Sequence, residues 1–249
     1  MHSTALDLAL LSAAVLGFRH GFDYDHIAAI SDITSLEPEK GRAMRMGLLY
    51  VLGHAATVAA LGAVVIGFQR SLPARIDGWA ERAVGLTLVL LGVYVLGSLA
   101  WQRENFTPRS RAAILIGAFG WLSWQIKRLF RATPVERPRP TNTSYSRKTV
   151  FLIGVIHGLG AETPSQLLLF LLAANLGGLA LGFLGLGMFL AGLLVMNTLM
   201  TASAVGIFGA SAAKPRLLRF VIGFTAVYSL VVGAIFLLGS SSILPPLGG

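Results

Sequence analysis

The chain has 249 residues, 55% hydrophobic and only 12% charged, with a formal net charge of +9 and a mean hydropathy of +0.72. Soluble domains carry nearer a quarter charged residues, so this composition excludes a soluble enzyme and predicts an integral membrane protein. There is no cysteine, which excludes disulfides, iron–sulfur clusters, thiolate metal sites and thiol–disulfide carriers.

Six apolar segments are long enough to be spans, at roughly 5–31, 46–68, 79–101, 149–174, 179–209 and 216–239. No Lys or Arg precedes the first, which predicts a retained span rather than a cleaved signal peptide. A seventh apolar patch, Ala112 to Trp124, is too short to cross and predicts an interfacial or buried helix. From Thr133 to Lys148 the chain is rich in Pro, Arg, Ser and Thr and reads as a loop. These elements divide the chain into a first three-span half (1–101), a basic connecting segment (102–148) and a second three-span half (149–249). Of the Lys and Arg residues between spans, three precede span two, ten lie between Arg103 and Lys148, and three flank residues 210–215. The opposite side keeps Arg70, Arg75 and Arg82. Sixteen against three predicts, by the positive-inside rule, that both termini lie outside the cytoplasm of a cell-membrane protein. The same clustering makes the positive charge a matter of bilayer orientation, not of nucleic-acid binding.

The first span ends in His20-Gly21-Phe22-Asp23-Tyr24-Asp25-His26. Ionisable groups at membrane depth cost about 2.5–3.5 kcal/mol each and usually mark an ion path. On a continuous helix His20, Asp23 and His26 fall at i, i+3 and i+6, a slowly drifting stripe. Asp25 points elsewhere, placed to orient an imidazole or to face another span. Gly17 and Gly21 permit close helix approach or local unwinding. Imidazole with carboxylate and no thiolate suits Ni²⁺, Co²⁺ or Zn²⁺, and the carboxylates offset the ion's charge. His54 in span two is a further candidate ligand. Span four is interrupted by His157-Gly158-Leu159-Gly160-Ala161-Glu162-Thr163-Pro164, which predicts a broken helix presenting His157 and Glu162. Gly17-x-x-His20-Gly21-Phe22-x-x-Asp25 aligns with Gly154-x-x-His157-Gly158-Leu159-x-x-Glu162, and the two segments enter the membrane from opposite sides. That is the pattern of an inverted repeat with a midplane site between its halves. The bland alternatives are a polar packing network around the histidines and a simple proline kink in span four.

These residues resemble the nickel/cobalt transporter (NiCoT) family. Its hallmark, His-x4-Asp-His within Arg-His-Ala-x-Asp-Ala-Asp-His-Ile, is met by Arg19-His20-Gly21-Phe22-Asp23-Tyr24-Asp25-His26-Ile27. Its Leu-Gly-His-Ser motif is half kept at Leu52-Gly53-His54-Ala55. Its Leu-Gly-Phe-Asp-Thr-Ala-Thr-Glu motif is similar to Leu159 through Gln166, with Glu162 in place of Asp and Gln166 in place of Glu. The last motif survives only from Ala191 to Met200, where Asn197 stands for an acid. Typical members have eight spans; six are expected here. The resemblance implies permeation of Ni²⁺ or Co²⁺, with His20, Asp25 and His26 carried over first, then Asp23 and His54, then Glu162.

The expectation is therefore an all-α membrane protein of about six transmembrane helices in two inverted three-helix halves. It would be a secondary transporter bringing Ni²⁺ or Co²⁺ into the cytoplasm, with metal ligands among His20, Asp23, Asp25, His26, His54, His157 and Glu162. No cofactor is required, and the expected partners are the metal ion and the lipid bilayer, with no nucleic acid. Oligomeric state is not legible. Efflux by the same site, a metal sensor and an intramembrane metalloenzyme stay open as alternatives. The chain lacks both a Walker A motif and His-Glu-x-x-His.

Overall fold

The hallmark motif does not sit on one helix. In the computed structural model, which describes residues 2–69, 74–101, 146–160, 174 and 177–245, helix α1 (His2–His20) stops at the first histidine. Gly21, Phe22 and Asp23 form a turn, closed by Phe22 N–H to Arg19 O (2.8 Å) and Asp23 N–H to His20 O (3.2 Å). Helix α2 (Tyr24–Ser35) then restarts from Asp23, whose backbone is extended. The expected continuous span 5–31 and its i, i+3, i+6 stripe are thus corrected. Gly21 and the helix-competing Asp23 break the helix between the two histidines.

Spans two, three, five and six are matched by long helices, and span four in its first part only. Helices α3 (Lys40–Phe68) and α4 (Ala74–Trp101) follow. Helix α5 (Arg147–His157) ends at its histidine, where Gly158 and Gly160 were expected to break span four. Helices α6 (Leu179–Ser211) and α7 (Pro215–Leu237) follow, the latter started by Pro215, whose missing N–H costs nothing in a first turn. Glu162, the Ala112–Trp124 patch and nearly all of the 133–148 loop lie outside the described residues. By length and composition, Lys40–Phe68, Gly78–Gly97, Leu179–Ser211 and Pro215–Leu237 can each cross a membrane.

Polarity is inside out. The buried polar residues include His20, Asp25, His26, Asp32, His54, His157 and Asn197, while Leu52, Phe68, Val93, Phe220 and Phe224 are exposed. That arrangement suits a lipid surround, which solvates the apolar exterior and drives ionisable groups inward. Helix α2 is the centre of the bundle: nine of its twelve residues are buried, and it packs against α3, α4, α6 and α7.

Around it the long helices pair as α1 with α6, α3 with α5, α3 with α6 and α4 with α7. Glycines set two of these contacts, since a small residue lets backbones approach without clash. A Cβ on Gly17 would strike the Phe189 carbonyl, and one on Gly192 the Ala14 carbonyl. The α3–α5 pair repeats the arrangement: Gly154 lies on the Tyr50 carbonyl and Gly53 on the Phe151 carbonyl. Thr57 adds a hydrogen bond to Val155 O (3.1 Å). Beyond α7 the chain folds back onto the bundle, with Ser241 N–H donating to Glu81 Oε1 (2.9 Å) and Tyr24 Oη to Pro245 O (2.9 Å).

Candidate metal centre

The break between α1 and α2 is what assembles the site. His20 is the last residue of α1, His26 is in the first turn of α2, and His54 is the midpoint of α3, with fourteen helical residues on either side. All three are buried, and each offers a ring nitrogen such that the three lie within 4.8 Å of one another. The ring centroids are 4.4 Å apart for His26–His54, 5.1 Å for His20–His26 and 5.4 Å for His20–His54.

These spacings can be set against a metal. Two nitrogens on one ion at about 2.0–2.1 Å lie about 2.9–3.4 Å apart for octahedral to tetrahedral angles. His26 Nε2 is 3.3 Å from each ring nitrogen of His54, so that pair already stands at ligand spacing. His20 brings a ring nitrogen to within 4.8 Å of theirs.

The two carboxylates flank the imidazoles. His20 Nδ1–H donates to Asp23 Oδ2 (2.8 Å). His26 Nδ1 faces Asp25 Oδ1 (3.3 Å), and the His26 backbone N–H donates to the same oxygen (3.0 Å). Hydrogen bonds of this kind fix an imidazole's tautomer and raise its basicity as a ligand. Asp25 thus contacts the His26 ring, and Asp23 the His20 ring. The negative charge of both carboxylates also balances a divalent ion in a dry interior. Aromatic rings wall the cluster: Phe189 lies 5.6 Å from His20, and Tyr50 6.3 Å from His26 and 6.4 Å from His54.

His157 is not in this cluster. Tyr50 Oη approaches its Nδ1 at 3.1 Å and Thr87 Oγ1 its Nε2 at 2.7 Å. Sequence reading missed Tyr50 and Thr87 altogether. Tyr50 carries a signal in hindsight, since it precedes His54 by one helical turn on the same face; Thr87 carries none in its apolar run. Asn197 is fully buried on α6.

Similarity to known proteins agrees with the chemistry. The chain is 31% identical to the cobalt transport protein NhlF of Rhodococcus rhodochrous over 66% of its own length, which is 48% of that protein's. It thus spans about half of that relative. It is 26% identical to the urease accessory protein UreH of Bacillus sp. strain TB-90, over 88% of this chain and 86% of that one. A high-affinity nickel transport protein of Cupriavidus necator is 26% identical over 96% of this chain and 71% of its own length. No protein-family model and no solved structure matches the chain. Relatives named for nickel and cobalt transport, matching over much of the chain, together with its apolar helices make this a multi-pass membrane protein. With the hallmark motif in place and such relatives aligned along most of its length, the chain is similar to nickel and cobalt transporters.

Proposed function

We propose that the protein is a secondary transporter that moves Ni²⁺ or Co²⁺ across the membrane into the cytoplasm, binding the ion at His20, His26 and His54. The observation that carries this reading is the buried three-histidine cluster at the midpoint of α3. Midplane ligands at a helix break are how secondary carriers hold a cation between two gates. Asp23 and Asp25 set the imidazole tautomers and balance the ion's charge.

The carrier is read as two inverted halves. Pairing of α1 with α6 and of α5 with α3 is what an exchange of halves requires, because α1 then corresponds to α5 and α3 to α6. The matching glycine contacts, Gly17 and Gly192 in one pair and Gly154 and Gly53 in the other, support the same reading. In this reading both termini face outward, the basic segments face the cytoplasm, and rocking of the halves exposes the triad to each side in turn. Chemistry on the ion plays no part, so the reading is of a carrier, not an enzyme.

The test is flux in proteoliposomes loaded with a metal-sensitive dye. Wild type should admit Ni²⁺ or Co²⁺, and His20→Ala or His26→Ala should abolish uptake while the protein remains folded. Unchanged flux in both variants would sink the site. Competition with Zn²⁺ and Mn²⁺ ranks selectivity, and cells lacking the protein should gain metal tolerance if transport is inward.

A further inference from the structure

His157 looks like the counterpart of His20 in every backbone respect. Each ends its helix, each is followed by a glycine, and each follows by three residues a glycine seated on an opposing carbonyl. The opposing residue is aromatic in both cases, with ring separations of 5.6 Å for His20–Phe189 and 5.5 Å for His157–Tyr50. The difference is one oxygen. Phe189 has no polar atom, whereas Tyr50 carries the hydroxyl that meets His157 Nδ1 at 3.1 Å.

Proton counting fixes the direction of that chain. Thr87 has one hydroxyl proton, and its Oγ1 lies 2.7 Å from Val84 O as well as 2.7 Å from His157 Nε2. Donation to the Val84 carbonyl leaves the Thr87 oxygen to accept from Nε2–H. Nδ1 of the neutral ring is then the acceptor for Tyr50 O–H. This arrangement satisfies every donor; the reverse tautomer leaves the buried Tyr50 proton unused. Neither ring nitrogen of His157 retains a lone pair for a cation.

We propose that Tyr50 and Thr87 withdraw His157 from metal binding, and that His157 in turn acts as a positioning residue that holds the Tyr50 ring against His26 and His54. The site is accordingly one-sided: of the two related histidines, only the first half's ligates, and one ion binds per chain. This rests on the transport reading above, whose metal site it sharpens.

Purified protein titrated with Co²⁺ tests it, read by the ligand-field absorption of the bound ion and by binding stoichiometry. Wild type should bind one Co²⁺ per chain, and His26→Ala should lose the absorption. His157→Gln, which keeps a donor and an acceptor, should retain the same band positions with a dissociation constant raised about tenfold, as for loss of an outer partner. Tyr50→Phe should weaken binding by a similar factor, and the double variant by no more than either single one, because both break one chain. Thr87→Val severs the same chain from α4 and supplies the comparison if either variant fails to fold. Shifted bands or lost binding in His157→Gln, or tighter binding in Tyr50→Phe, would overturn the proposal, since each makes His157 a ligand. If wild type itself binds no Co²⁺, the transport reading fails first; if wild type binds and His157→Gln abolishes binding, this inference alone fails.

Discussion

The contact between α3 and α5 offers the sharpest structural prediction, through Gly154→Ala. A Cβ at Gly154 would fall on the Tyr50 carbonyl oxygen, 2.9 Å from the Tyr50 carbonyl carbon and 3.0 Å from the His54 backbone nitrogen. Ordinary contacts of this kind are about 3.5–4.0 Å, so the helices must part by roughly 1 Å. Overpacking of that size costs about 1–3 kcal/mol, more when the obstacle is backbone that no rotamer change can move. At about 2–4 °C per kcal/mol for a chain of this length, the melting temperature in detergent should fall by about 2–12 °C. The displaced backbone carries Tyr50 and His54, so metal flux should fall as well, by up to about 100-fold for an ångström of misplacement. Gly67→Ala and Gly187→Ala are the controls, because nothing lies within 4 Å of either added Cβ. Both should melt at or above the wild-type temperature, since alanine is the better helix former by about 1 kcal/mol. A Gly154→Ala protein that melts with wild type, or a Gly67→Ala protein that melts as low as Gly154→Ala, would refute the close-approach argument.

Other expectations follow from the same contacts. Asp23→Asn keeps the shape but removes the charge that holds His20 Nδ1–H, and should weaken Co²⁺ binding by about 10–100-fold while leaving the apo melting temperature within a few degrees. Gly17→Ala, set against the Phe189 carbonyl, should repeat the loss at the α1–α6 contact and displace His20 in place of His54. Glu37, buried between α2 and α3, has its carboxyl pushed up by that burial, with Arg42 at 2.7 Å opposing the rise. The raised value means its stability contribution is fully present below the ordinary carboxylate range and is lost as pH rises through the folded value. Arg42→Ala should therefore cost about 1–3 kcal/mol where Glu37 is ionised and less in acid, where it is protonated, measured as melting temperatures of the apo protein across a pH series.

The parts of this fold that were legible in the sequence are those that lipid dictates. Spans two, three, five and six are long apolar runs, and their helices end within a few residues of the expected boundaries, α3 and α4 merely starting five or six residues earlier. Hydropathy could not show the break at Gly21-Phe22-Asp23, because one glycine and one aspartate are compatible with a continuous helix until the burial of α2 is known. That break changes the geometry of the site. A straight helix would spread His20 and His26 along a drifting stripe; the turn folds them to 5.1 Å and gives both access to His54. His54 itself was a weak signal, a single imidazole in an apolar run, until its midpoint position on α3 was set beside the motif.

His157 shows why a repeated motif does not transmit a role. His20 and His157 each end a helix, as the shared Gly-x-x-His-Gly pattern allows, although the sequence had His20 inside a continuous helix. Ligation follows from what faces the ring, and for His157 those partners come from other helices, 107 and 70 residues away in sequence. A phenyl ring lies opposite His20, whose Nδ1 meets Asp23. A phenol and a threonine opposite His157 occupy both of its nitrogens. The proposed carrier of two inverted halves would gain from this inequality. Two equivalent histidine arms would offer a divalent ion two overlapping sites of equal affinity, whereas one arm tied into the scaffold leaves a single site with a rigid wall behind it. In the proposed carrier the ion would meet ligands on α1, α2 and α3, while the α5 histidine would keep the wall in place. Loss of one hydroxyl at Tyr50 is the smallest change that would disturb this division of labour.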